Sequence, residues 1–225
     1  INTLIHHELQ KLGSVSKENQ RVDILVNRQD MTGPERTFAL AYVPGEDIIR
    51  YNTTSKLYGV KPGDYARVFA NNHKDNTITV RFESGREMTY NPERLSGVSV
   101  YREAQRDFAV GDRIQFRAPF AAERVKNSDL GTIKELTEDT MTVRLDKKRD
   151  VSVKLDQFRH LDHGYAVTSH SSQGQTVNRV LVNADATETE ALLNQRMAYV
   201  AISRARFEAR VYTDSLRGLG PAFNR

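Results

Sequence analysis

The chain has 225 residues, with 33 Lys+Arg against 29 Asp+Glu and a net charge of +4, a mild basic bias that permits a nucleic-acid partner without requiring one. It holds no cysteine, which excludes disulfides and thiolate metal sites and fits a reducing cytoplasm. No apolar run approaches the roughly 20 residues of a membrane span, no signal peptide is visible, and a start at Ile1 rather than Met reads as a piece of a longer protein.

The first part runs over residues 1–44. "NTLIHHELQKLG" places Leu4, Ile5, Leu9 and Leu12 on one helical face, with Gly13 as the stop. "RVDILVN" reads as a short apolar strand. "TGPERTFALAY" puts Pro34 where a first helical turn tolerates it, behind Thr32 as a cap.

The second part is an internal repeat. "EDIIRY" (46–51) matches "GDRIQF" (111–116), and "KPGDYARV" (61–68) matches "KNSDLGTI" (126–133), both at an offset of 65. "ITVRFESGREMTYNPERL" (78–95) then matches "MTVRLDKKRDVSVKLDQF" (141–158) at 63. Ile78, Val80 and Phe82, and again Met141, Val143 and Leu145, alternate as half-buried antiparallel strands do. "ESG" and "DKK" are the hairpin turns, and "KPGD" is a turn with nothing helical behind it. Short strands in a unit of about 50 residues close readily into a small barrel, which removes exposed edges. The expectation is two tandem SH3-like barrels, residues 45–103 and 104–160.

An α/β part occupies residues 161–225. "HGYAVT" (163–168) reads as a strand, and "RVLVNAD" (179–185) as a parallel strand buried on both faces. A helix follows, with Thr187 and Glu190 as its capping box and Leu193, Met197, Val200 and Ala201 on its apolar side. "ARVYTD" (209–214) is the returning strand of a βαβ unit. The fold class is α/β plus all-β.

Two stretches carry chemistry. "TSHSSQGQT" (168–176) sets small polar residues and Gly174 at the end of a strand, where ligands bind in open α/β sheets. Gly174 lets the backbone approach a phosphate, and the hydroxyls of Thr168, Ser171 and Ser172 can donate to it. "YVAISRAR" (199–206) ends a helix in Arg204, which alone reads as an ordinary surface arginine favoured by the helix dipole. His160, His163 and His170 have no regular spacing and no cysteine beside them, and read as loop histidines rather than zinc ligands.

Together the two stretches resemble motifs V and VI of superfamily 1 helicases of the RecD-like branch. The wider run 160–214 is most similar to the helicase half of conjugative relaxase-helicases of the TrwC/TraI type. The barrels resemble, more loosely, the SH3-like insertion in the second motor domain of that branch. The resemblance implies a RecA-like parallel-sheet domain interrupted by the two barrels. It implies that Arg204 reaches the nucleotide γ-phosphate as a catalytic finger, with Gln173 and Gly174 also at the nucleotide. Thr168, His170 and Ser172 would contact single-stranded DNA. Many members carry an acidic residue where this chain has Thr176, so that acid's nucleotide-sugar contact is not implied here. Lys147, Lys148 and Arg149, at the tip of a hairpin, are further candidates for DNA contact.

No G-x-x-x-x-G-K-[ST] loop and no Asp-Glu strand end of Walker B type occur in the chain. ATP and Mg2+ are therefore expected in the complete protein rather than bound tightly to this chain. The partners implied are single-stranded DNA and a preceding RecA-like domain. The resulting expectation is half of a 5′-3′ DNA helicase from a bacterial cytoplasmic relaxase, one that is itself carried into a recipient cell. The alternatives are a recruitment module for a type IV secretion coupling protein, a RecD-type repair helicase, and an inactive helicase copy kept as a DNA clamp.

Overall fold

A computed structural model describes residues 1–28, 30–168, 171–172, 176–185 and 193–223. The protein is mostly sheet with few helices. Helix α1 (Asn2–Lys11) forms as expected and stops at Gly13, whose φ of +72° suits glycine. Its docking differs from the expected leucine stripe. Leu4 and Leu12 are exposed, and the buried residue is His6. The proline-led segment forms two short 3-10 turns, Glu35–Thr37 and Ala39–Ala41, rather than a helix, and Thr32 makes its recorded side-chain bond through its N–H to Glu35 Oε2.

Strands β1 (Gln20–Asn27), β2 (Asp47–Tyr51), β3 (Tyr65–Asn72), β4 (Thr77–Phe82), β5 (Glu87–Tyr90) and β6 (Val98–Phe108) make one sheet in the order β1-β6-β2-β3-β4-β5. Strands β7 (Arg113–Phe116), β8 (Leu130–Leu136), β9 (Thr140–Leu145), β10 (Asp150–Lys154) and β11 (Leu161–His163) make a second, ordered β10-β9-β8-β7-β11. The repeat is real in three dimensions. A bulge falls between Val68 and Ala70 in one copy and between Ile133 and Glu135 in the other. The bridge Ser55–Val60 recurs as Phe120–Val125. Asp64 accepts from the N–H of Lys61 at 2.8 Å, and Asp129 from that of Lys126 at 3.0 Å.

Closed barrels, however, are not found among the described residues. The cause is β6, which runs 11 residues and serves both cores. Val98 and Val100 pack with Ile49, Val68 and Val80. Phe108, with Val22 and Ile24 of β1, packs with Ile114, Phe116, Met141 and Val153. The β1–β6 ribbon thus shares its apolar residues with the core of the second sheet, and the N–H of Leu25 in β1 donates to the Arg159 carbonyl at 2.8 Å. The expected first strand "RVDILVN" is β1, and it is paired antiparallel to β6 over its whole length.

The last part contains β12 (Val177–Ala184), α2 (Gln195–Ile202), β13 (Ala205–Thr213) and α3 (Leu216–Phe223). β12 and β13 pair in parallel, so the expected strand-helix-strand unit is present. The capping box at Thr187 and Glu190 lies outside the described residues. The cap observed on α2 is Asn194, whose Oδ1 accepts from the N–H of Met197 at 2.9 Å. Among the described residues, no helix is long and apolar enough to cross a membrane.

Candidate functional site

The approach to the site departs from the sequence expectation. The strand expected over 163–168 does not form: the short β11 ends at His163, pairs antiparallel with β7 rather than lying in the parallel pair, and residues 164–168 are not strand. Gly164 then passes tight against β7, where a Cβ would come within 2.7 Å of the Ile114 carbonyl carbon. Only glycine fits that approach without moving the strand. Beyond it the chain turns at Thr168. The Thr168 hydroxyl lies 2.9 Å from that of Ser171, and the Ser172 N–H donates to the Thr168 carbonyl at 3.1 Å. Thr168 is exposed and Ser171 and Ser172 are half-buried.

Arg204 sits just past the carboxyl end of α2. Its Nε donates to the Val200 carbonyl at 3.0 Å, and Nη2 lies 3.4 Å from the Ser203 hydroxyl. The side chain is half-buried and anchored at its base to the last helical turn. The strand that follows the first stretch meets the second in the backbone: the N–H of Val177 donates to the carbonyl of Arg204 at 2.9 Å, and Val177 pairs with Ala205 at the start of the parallel ladder. His170, Gln173 and Gly174 lie outside the described residues.

The basic hairpin tip lies on the β9–β10 turn. Lys147 Nζ pairs with Asp129 at 2.8 Å, and Arg149 donates to the Glu123 carbonyl at 2.6 Å. Lys148 is exposed with a φ of +60°.

Sequence reading missed the residues that hold the approach in place. Asp112, fully buried, accepts from the Ala109 N–H at 2.7 Å, from His6 Nδ1 at 2.7 Å and from the Tyr165 hydroxyl, with His163 Nε2 at 3.4 Å. Burial alone would raise its pKa, but the adjacent His163 ring and the hydrogen bonds from Tyr165, His6 and Ala109 together hold it below the usual carboxylate range. Asn2 completes the clamp, accepting from the Ala166 N–H at 2.7 Å and donating to the His163 and Ala166 carbonyls. One signal was available. Asp112 stands 65 residues after Asp47, which is also fully buried and binds Arg28, Arg102 and the Val43 N–H. An acid kept at the head of an apolar strand in both repeat copies marks a buried acceptor. The ligand atoms of His6, Asp112 and His163 lie within 4.8 Å of one another, close enough for a metal ion. Both Asp112 oxygens are already engaged by N–H and O–H donors, so the geometry is that of a structural hub.

His160 sits where β11 meets the first sheet. It is buried, takes the Tyr65 hydroxyl on Nε2 at 2.5 Å, and packs edge-on to Tyr101. Burial, reinforced by Arg50 and Arg159, lowers its pKa from 6.5 to about 4. The neutral form is the folded form, so its contribution to stability is complete above pH 6.5 and is lost as pH falls from there toward 4. The expected loss is on the order of 3 kcal/mol by the bottom of that window. Urea midpoints measured at neutral and mildly acid pH check this, and a His160→Phe variant is expected to flatten the profile.

A model of the UvrD-like helicase C-terminal domain matches residues 163–212, from the end of β11 into β13. The chain is homologous to conjugation proteins. It is 36% identical over 113 residues to the probable conjugal transfer protein TraA of Sinorhizobium fredii, covering 49% of this chain and 10% of that protein. It is 23% identical over 231 residues to the multifunctional conjugation protein TraI of Escherichia coli, covering 100% of this chain and 12% of that protein. The chain thus spans about a tenth of the length of the curated relatives it matches. Among solved structures, Pif1 helicases at forked double-stranded DNA overlay with a TM-score of 0.41 at 20% identity, over 54% of this chain and 30% of that chain. That overlap is too shallow to carry an argument.

Proposed function

We propose that this chain is the second half of a DNA-helicase motor, belonging to a conjugative relaxase that nicks one plasmid strand and unwinds it 5′ to 3′. The observation that carries the reading is the hydrogen bond from the Val177 N–H to the Arg204 carbonyl at 2.9 Å, which joins the strand that follows the polar stretch to the arginine-bearing helix end. A strand-phosphate contact and a nucleotide contact at one junction are what couple hydrolysis to movement along DNA. On this reading Thr168, Ser172 and their neighbours hold the DNA backbone, with His170 among them. Arg204, with Gln173 and Gly174, faces nucleotide held by the preceding RecA-like domain.

The chain fits one side of a nucleotide only. Arg204 is anchored through Nε to the end of α2, and a planar guanidinium suits phosphate oxygens as an ammonium does not. ATP with Mg2+ supplies the phosphoryl group for transfer, and the phosphate cradle and magnesium carboxylate come from the preceding domain. The repeat units are read as SH3-like units sharing the β1–β6 ribbon. The repeated bulge, bridge and Asp-capped turn support that reading.

The chain by itself is expected not to hydrolyse ATP. Steady-state phosphate release in the presence of single-stranded DNA should match the blank. Turnover that co-purifies with this chain and tracks its concentration would end the half-motor reading.

A further inference from the structure

Arg36, Arg50 and Arg117 are half-buried with no carboxylate at ion-pair distance among the described residues; Arg36 donates instead to the Met31 and Val98 carbonyls. Arg50 donates to the Asn52 amide oxygen at 3.2 Å, and its Nε is buried without an acceptor. Arg117 donates to the Gln115 amide oxygen at 2.8 Å. Neither has a carboxylate within ion-pair distance among the described residues. Arg50 and Arg117 line one cleft of about 710 Å3 between the first sheet and the second, and Thr168 and Ser171 form part of the same lining. The carboxylate on that lining, Asp162, is engaged by Arg106 Nε at 3.1 Å.

A partly buried guanidinium facing only neutral groups is costly unless an anion completes it. Here two such cations share a cleft with a pair of hydroxyls, and the remaining lining includes Asn127 and Ser99. Side-chain amides, hydroxyls and unpaired arginines are the groups that bind a sugar-phosphate backbone without reading its sequence. We infer that this cleft is the path of the single strand beyond Thr168 and Ser171, with Arg50 and Arg117 each holding a backbone phosphate. The inference rests on the helicase reading and adds to it a track between the two sheets. His160, held neutral beside Arg50, is consistent with a cleft kept positive by its arginines alone.

The test is binding of a labelled oligothymidylate to the chain over a salt series, with Arg50→Gln/Arg117→Gln beside the parent sequence. Glutamine keeps an amide donor and removes the charge. The expected result is roughly tenfold weaker binding at low salt and a log-affinity slope shallower by about 1.4, or about 0.7 per lost single-strand phosphate contact. Coincident lines would overturn the cleft while leaving the helicase reading standing. Failure of the parent sequence to bind the oligonucleotide at any salt would remove that reading as well. Displacement of nothing but polyglutamate from the arginines would assign the cleft to an acidic protein segment and overturn the inference. If the double variant does not fold, a photo-crosslinker on Asn127→Cys decides. The chain has no cysteine of its own, so the label is unique. It is expected to capture the oligonucleotide, whereas the same label on Asp75→Cys, in the β3–β4 turn, is not. Capture from Asp75 but not Asn127 would overturn the proposal.

Discussion

Arg204→Ala in the complete parent protein is expected to lower kcat for DNA-stimulated ATP hydrolysis by on the order of 10³. A finger arginine acts on charge that develops on the transferring phosphoryl group, so its removal falls on the chemical step rather than on substrate capture. Oligonucleotide affinity without nucleotide should barely change, because Arg204 belongs to the helix end and Thr168 and Ser172 to the turn. Arg204→Lys is expected to recover little. The ammonium cannot present the planar fork, and it cannot reproduce the Nε–H bond to Val200 that anchors the guanidinium. Near-normal turnover in Arg204→Ala would return the residue to an ordinary helix-end arginine.

Asp112→Ala is expected to destabilise the chain by about 3–5 kcal/mol, measured as a fall in urea midpoint at unchanged slope. Alanine would leave the Ala109 N–H, the His6 ring N–H and the Tyr165 hydroxyl without their acceptor, all at a fully buried site. Asp112→Asn keeps one acceptor oxygen and should lose less. The damage should also be directional. Hydrogen exchange is expected to accelerate first in α1 and at residues 163–166, which the hub and Asn2 tie together, while β2 to β5 stay protected. Uniform acceleration across both sheets would show that Asp112 supports the fold at large rather than the approach to the site.

What the sequence made legible follows from what is local. The repeat and its hairpin turns came from spacing and alternation, which the backbone enforces within a few residues; the parallel β12–β13 pair came from apolar runs, but β12 is exposed along much of its length rather than buried on both faces. The failures are tertiary. The leucine stripe of α1 looked like a docking face, but Leu4 and Leu12 stay exposed and the helix docks through Asn2 and His6. Closed barrels looked natural for each repeat unit, but the single long strand β6 feeds two cores and leaves both sheets open. The strand expected into the site over 163–168 is replaced by a short β11 that ends at His163, because Gly164 must slide against β7 and the chain then peels off to meet Asn2 and Asp112. Motif residues were visible because their chemistry is carried by residue type. Arg50 and Arg117 were not, since an arginine lacking a carboxylate partner can be recognised only once its neighbours are known.

The central claim is that Arg204 completes a nucleotide site held elsewhere in the parent protein. The most direct measurement compares nucleotide affinities of the complete protein carrying Arg204 or Arg204→Gln, with ADP alone and with ADP plus aluminium fluoride as a mimic of the transferring phosphoryl group. The account predicts equal affinity for ADP and a loss of on the order of a hundredfold or more for the transition-state mimic, since only the latter presents the charge a finger meets. Equal affinities for both ligands would contradict it.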